Sequence, residues 1–506
     1  MVTLYGRRWL TSGGFVRTSA TVHQTKMECF LKSLHGRAHR NVLAGLFAFA
    51  MAAGAQQYDI VISGGRVIDP ETHLDAVRDV GIVGGKIAAV SQDRLSGKSV
   101  VDAHGLVVAP GFIDIHQHGQ TPENYALKAR DGVTTALEME VGVWPVTEWY
   151  EQRQGKAVIN FGASVGHIPV RMSVMHDSGT FLPRDKAVDT EASREQLDQI
   201  VSLLRDGLNE GALGIGMGIA YVPGASRAEI LSVFQLAAER GVAVYVHLRS
   251  AGPADPGGID ALQEVMADAA STGASLHVVH ITSTELRETS LALTMIEGAH
   301  ARGLDFTTEA YPYTAGMTDL ASAIFATGWQ QRMGGISYQD LEWAATGERL
   351  TAESFERYRK QGGMVAIHGI PEEVVILAMA DPEVMIASDG ILDNGKGHPR
   401  AAGSYARVLG RYVREQHILP LHAALRKMSL SPANRLGLSA KGRIQPGADA
   451  DITLFDPERV KDRATFESPA QPSEGIPYVM VNGVWVVKDS QLRPNTFPGQ
   501  GVRHSH

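Results

Sequence analysis

Between about residues 111 and 436 the chain alternates short apolar runs with stretches of helical periodicity. The runs are Gly111 to Gly119, Thr134 to Glu140, Ala157 to Ala163, Leu213 to Met217, Ala243 to His247, Leu276 to His280, Phe306 to Glu309, Met364 to Ile367 and Val384 to Ala387. Helical patterns fill several of the gaps, as at Ser193 to Leu208, Arg227 to Arg240 and Ile259 to Ala270. A strand buried on both faces reads as a continuous apolar run, and parallel strands need long crossovers. Alternation on this scale predicts an α/β chain, a TIM-like (β/α)8 barrel over 111–436. An open doubly wound sheet is the rival. No Gly-rich phosphate turn follows an early strand, which counts against it. Residues 325–363, rich in Trp, Tyr, Arg and Glu, break the alternation. They predict a helical insertion near the barrel mouth, either a lid or a decorated connection.

The flanks read as all-β. In 56–110, short β-rich runs are separated by Gly64-Gly65 and Gly84-Gly85. In 437–492, Tyr478 to Val481 precedes Asn482-Gly483, a hairpin turn, and then Val484 to Val487. Neither flank is long enough for its own core, so the two ends predict one composite β-sandwich. Residues 493–506 are expected to be a flexible tail.

Residues 1–55 predict a targeting segment, with Met27 as the true start. Lys32, Arg37 and Arg40 precede an apolar run, Val42 to Ala53, and Ala53-Gly54-Ala55 fits a small-x-small cleavage site. The run is too short for a membrane-spanning helix, so no stable membrane insertion is expected after processing. Bacterial export to the periplasm or medium is the expectation. An organelle transit peptide is the alternative, because residues 1–26 hold three arginines and no acid. The single cysteine, Cys29, would leave with the segment. Any metal in the mature protein must then be held by His, Asp or Glu. Without residues 1–55, 40 basic and 54 acidic residues remain, a formal charge of −14. That argues against nucleic acid as a partner.

Several strand candidates finish in a residue that can hold a metal. His116 and His118 end an apolar strand with one residue between them, so regular alternation aims both to one side. Ala243 to His247, Leu276 to His280 and Met385 to Asp389 each end in a potential ligand, and Glu138 and Glu140 share a face. Singly, each has an ordinary explanation, such as a hydrogen-bonded core histidine or a helix cap. Together they converge on the carboxyl ends of five strands, where a barrel keeps its chemistry. Such a set can hold one or two zinc ions.

The chain resembles the amidohydrolase superfamily, and within it the N-acyl-D-amino-acid deacylase (D-aminoacylase) branch, from about Tyr58 to Val487. The marks are Pro110-Gly111-Phe112-Ile113-Asp114 leading into His116-x-His118, Gly132-Val133-Thr134-Thr135, and Tyr221-x-Pro223-Gly224. Further marks are Tyr311-Pro312-Tyr313, Ser388-Asp389-Gly390, His398-Pro399-Arg400 and Gly442-x-Ile444-x-Pro446-Gly447-x-x-Ala450-Asp451. The resemblance implies a metal pair held by His116, His118, Asp389, His247 and His280, with a bridging ligand between them. Relatives bridge with a carboxylated lysine or a cysteine. Here Val141 stands where the cysteine would align, so Glu140 is the expected bridge and Glu138 the second choice.

The implied reaction is hydrolysis of a C–N amide bond by metal-activated water, with Asp389 as general base and then acid. The implied substrate is a small N-acyl-D-amino acid. Arg249, Arg171 or Arg400 could hold its carboxylate, and Tyr221 and Tyr313 could contact substrate or oxyanion. The alternatives are a cyclic amidase or dipeptidase (hydantoinase, dihydroorotase or isoaspartyl-dipeptidase-like) and a metal-free, non-catalytic relative. Homo-oligomerisation stays open.

Overall fold

The computed structural model describes residues 57–504. The expected targeting segment, with Met27 and Cys29, lies outside these residues. Eight parallel strands pair in chain order: β1 (Phe112–Asp114), β2 (Val133–Val143), β3 (Asn160–Gly166), β4 (Ile215–Gly218), β5 (Ala243–His247), β6 (Ser275–Val278), β7 (Phe306–Ala310) and β8 (Val384–Ile386). Helices cover them, among them Arg194–Asn209, Arg227–Arg240, Gly258–Thr272 and Thr289–His300. All eleven residues of β2 are buried, as a strand covered on both faces requires. Helix Arg194–Asn209 starts where local chemistry says it should. Ser193 caps it and Gln196 bonds back to the Ser193 backbone.

No ladder joins β1 to β8, and the seam is closed by other means. The Asp389 amide donates to the His116 carbonyl at 2.7 Å, and the His118 amide donates to Gly390 at 3.1 Å. Asp114 accepts from the Ser388 amide and hydroxyl at 3.0 and 2.6 Å, and pairs with the buried Lys128 at 2.9 Å. The Tyr405 hydroxyl lies 3.3 Å from the Ile113 carbonyl and 3.4 Å from that of Ile386. The barrel thus closes at its carboxyl end, among the residues expected to hold metal.

The β-sandwich expected from both ends of the chain is one nine-stranded, mostly antiparallel sheet. Val107–Pro110 and Ile452–Phe455 pair at its centre, so the chain leaves at Pro110 directly into β1 and returns at Ile452. The hairpin at Asn482-Gly483 has both residues at positive φ, as a type I′ turn requires. Ile62, Val67, Val80, Val108, Leu454 and Met480 form its core. Asp451 anchors the sheet to the barrel. It accepts from Asn160, from the Asn482 amide and from Lys441.

Three expectations are corrected. Met364–Ile367 is not a barrel strand. It pairs antiparallel with Gly316–Asp319 and Leu341–Trp343 in a separate four-stranded sheet. Its apolar run marks a strand but not its partner. The insertion is mixed rather than purely helical, because its helical stretch is framed by strands of that sheet, and it extends over about 316–367. Helices Trp329–Arg332 and Ala352–Gln361 pack with the small sheet over a core that includes Leu320, Phe325, Trp329, Trp343 and Phe355. The tail is docked rather than free through residue 504. Val502 bonds to Phe161 at 2.7 Å, Tyr150 donates to the Val502 carbonyl at 2.6 Å, and the His504 amide donates to Gly211 at 3.1 Å. No helix among the described residues is long and apolar enough to cross a membrane.

Candidate metal centre

The chain past β1 keeps its alternation, so His116 and His118 point to one side with their Nε2 atoms 3.2 Å apart. Glu140, on β2, meets them with one oxygen. Its Oε2 lies 2.9 Å from His116 Nε2 and 3.0 Å from His118 Nε2. Its other oxygen faces the opposite way, 2.8 Å from His247 Nδ1 and 3.9 Å from His280 Nε2. Asp389 Oδ1, just past β8, completes the first group at 3.5 and 3.2 Å from the two histidines. Two sets of ligand atoms therefore share one carboxylate: His116, His118, Glu140 and Asp389, and Glu140, His247 and His280.

The rings are held by partners behind them. Glu309, on β7, accepts from His116 Nδ1 at 2.5 Å and lies 3.2 Å from His277 Nε2 with its other oxygen. His277 is fixed in turn by Thr307 at 2.8 Å. With Nδ1 donating to Glu309, His116 Nε2 is the nitrogen that faces the centre, and its lone pair would be free for an ion once its proton is displaced. Glu138 does the same for His118, 2.8 Å from its Nδ1, and Ser283 faces His280 Nδ1 at 3.0 Å. The second oxygen of Glu138 accepts from the Val141 and Gly142 amides. Glu138, the alternative bridge, is thus an orienting group behind His118, and Glu140 occupies the middle. Two ligand candidates carry backbone strain: His280 has φ +33° and Asp389 φ +52°.

The electrostatics describe a site that wants a cation. Burial opposes charge on His116, yet Asp389, Glu309 and Glu140 outweigh it and lift the ring to about 10. Burial likewise opposes charge on His118, and Glu138, Asp389 and Glu140 raise it well above the ordinary value. Burial works against an ionised Glu140, but three histidines hold it well below the carboxylate range. Asp389 is lowered too, against burial, by Arg400 and His116. His280 goes the other way: burial, with His247 adding to it, pushes the ring down to about 3, so it is a neutral donor. Protons on His116 and His118 stand where a divalent ion would put its charge, and binding would displace them. Four imidazoles and two carboxylates, with no thiolate, suit zinc or a similar borderline ion. Beside the centre lies a cavity of about 380 Å³ whose lining includes His247, His280, Asp389, Tyr221 and Tyr311.

The sequence matches the amidohydrolase family over residues 99–487. The chain belongs to that family. It is 30% identical to the N-acyl-D-glutamate deacylase of Alcaligenes xylosoxydans xylosoxydans, over 88% of this chain and 97% of that protein. It is also 30% identical to the D-aminoacylase of the same organism, over 85% of this chain and 95% of the other. Among solved structures it resembles N-acyl-D-glutamate deacylase from Bordetella bronchiseptica, complexed with zinc and a phosphonate inhibitor. The TM-score is 0.77 at 28% identity, covering 89% of this chain and all of that one.

In this amidohydrolase the expected substrate residues divide. Tyr221 is at the cavity, its ring 4.9 Å from that of His247 and its hydroxyl 3.2 Å from Thr318. Arg400 is at the centre and partly engaged with it: Nη1 lies 3.0 Å from Asp389 Oδ2, Nη2 donates to the Met317 carbonyl at 3.2 Å and the guanidinium sits 4.6 Å over the Tyr311 ring, while Nε has no hydrogen-bond partner. Arg249 lines the cavity, but Glu264 already closes its fork at 2.8–3.2 Å, so it is not a vacant carboxylate clamp. Arg171 is a correction. It has no exposed surface and is bound by Glu229 and by the Ala187 and Thr190 carbonyls, away from the cavity. Tyr313 is another. The Tyr313 amide turns back onto the Tyr311 carbonyl at 3.0 Å, which breaks the alternation. Tyr313 then packs under Arg407, and Tyr311 takes the cavity wall. His398 is a turn residue, bonded to the Ala315 carbonyl and the Arg400 amide. Sequence reasoning missed Glu309, although an acid inside an apolar strand was its signal, and missed Tyr311.

Proposed function

We propose that this amidohydrolase is a zinc-dependent deacylase of N-acyl-D-amino acids. The observation that carries the reading is Glu140, whose two oxygens face two separate histidine pairs. His116, His118 and Asp389 would hold one ion and His247 and His280 the other, with Glu140 between. Such an ion supplies acidified water and a polarised carbonyl at neutral pH. The protein's own groups do the rest. Asp389, kept ionised by Arg400, accepts a proton from the attacking water and returns it to the leaving nitrogen. That proton matters because an amide anion is a very poor leaving group. Tyr221 and Tyr311 close the wall beside the reacting carbonyl. Similarity to proteins named for N-acyl-D-glutamate deacylation and D-aminoacylation supports this substrate class.

The test is hydrolysis of paired N-acetyl-D- and N-acetyl-L-amino acids by zinc-loaded protein, with metal content measured alongside. The reading expects at least one ion per chain and release from the D series. Equal rates on both enantiomers, or no release from either, contradict it. Metal below about a tenth of an ion per chain, even after loading, would favour a non-catalytic relative.

A further inference from the structure

We propose that the substrate of this centre carries a large apolar group, and that acidic side chains are disfavoured. This rests on the deacylase reading above and narrows it. The cavity beside His247, His280 and Asp389 is walled by Leu248 and Leu286 from the barrel loops and by Met317, Ile324, Met333 and Ile336 from the insertion. The insertion is a built wall, because it has its own packed core. It also meets the loop after β5 directly. A Cβ at Gly252 would stand 2.2 Å from the Arg332 carbonyl oxygen, so the two walls are in backbone contact there.

The cations in this lining are already used. Arg249 is closed by Glu264, which also pairs with Arg227. Arg332 gives its nitrogens to the carbonyls of Thr327, Ile324 and Ala326. A carboxylate on the substrate's side chain would have to displace Glu264 or stay unpaired in an apolar chamber, which is costly. An alkyl or aromatic group displaces water from apolar walls, worth about fourfold in affinity per buried methylene. The apolar group could be the amino acid's side chain or the acyl chain, since both flank the scissile bond.

The test uses zinc-loaded full-length protein and five amides: N-acetyl-D-alanine, -leucine, -phenylalanine and -glutamate, and N-octanoyl-D-alanine. The chamber predicts kcat/KM at least about tenfold above N-acetyl-D-alanine for leucine and phenylalanine, if it takes the side chain. It predicts the same gain for the octanoyl amide, if it takes the acyl chain. Glutamate should fall below alanine. Glutamate at or above leucine, with no gain from the octanoyl chain, overturns the proposal. Ile336→Lys should raise glutamate relative to leucine about tenfold, and an unchanged ratio in folded variant counts against the wall. Met333→Lys is the second variant should the first not fold. If no amide is hydrolysed, the deacylase reading fails on its own, and calorimetry judges the chamber. Octanoyl amide bound about tenfold more tightly than acetyl keeps it, and equal binding removes it.

Discussion

Each histidine that faces this centre through Nε2 has a partner behind it, and the partners differ in strength. Glu309 is held down to about 2, against burial, by the charge of His116 and by the hydrogen bonds from His116 and His277, so it is a full carboxylate behind His116. Glu309→Gln should keep the fold and weaken metal binding about 10- to 100-fold, read by competition with a chelator. Unchanged affinity would show that His116 needs no orienting charge. Asp389→Asn should retain metal, because an oxygen donor remains, yet lose turnover by about 100-fold or more. Wild-type turnover in that variant would remove Asp389 from proton transfer. Away from the centre, Glu285 is fully buried and neither carboxyl oxygen has a hydrogen-bond partner. Burial, with Glu288 adding to it, pushes its carboxyl up to about 8. The unfolded chain ionises this group near 4.5, so between these values the folded state holds a proton that the unfolded state lacks. Its contribution to stability is complete below about pH 4.5 and is lost as pH rises through 8. The stability of wild type relative to Glu285→Gln should therefore fall from pH 5 to pH 8, by up to about 4 kcal/mol at about 1.4 kcal/mol per unit. A difference that does not change with pH would contradict this.

At the scale of elements, the seam between β1 and β8 is where fold and site meet. Tyr405 reaches both strands with one hydroxyl, and Asp114 ties β1 to Ser388 beside Asp389. Tyr405→Phe leaves two buried carbonyls without that donor and should cost about 1–3 kcal/mol in denaturant or thermal unfolding. A loss below about 0.5 kcal/mol would show that the seam is closed by the backbone bonds alone. All eight barrel strands were legible, because a doubly buried strand leaves an apolar run. Met364–Ile367 shows the limit. Its run has the same look, followed by a helix, Glu372–Ala380, but a strand's partner is a long-range fact that no local pattern carries. Tyr311 and Tyr313 show a second limit, since two residues share a face only while the backbone stays extended.

At the scale of the whole molecule, the site is assembled from β1, β2, β5, β7 and the turns after β6 and β8, so its ligands lie up to 273 residues apart in the chain. The ligands themselves were legible because each ends a strand, and barrel geometry brings strand ends together. The groups behind them were not. Glu309 acts across the barrel on His116, and nothing in the sequence near either residue announces the pair. Val141 cannot ligate a metal, but its neighbour Glu140 lies between the two histidine pairs. The direct test of that claim is anomalous diffraction at the zinc edge from zinc-loaded crystals. The account predicts two peaks about 3.5–4 Å apart, one beside His116, His118 and Asp389, the other beside His247 and His280, with Glu140 contacting both. Peaks with Glu140 touching neither ion, or no peak at the barrel mouth, would contradict it.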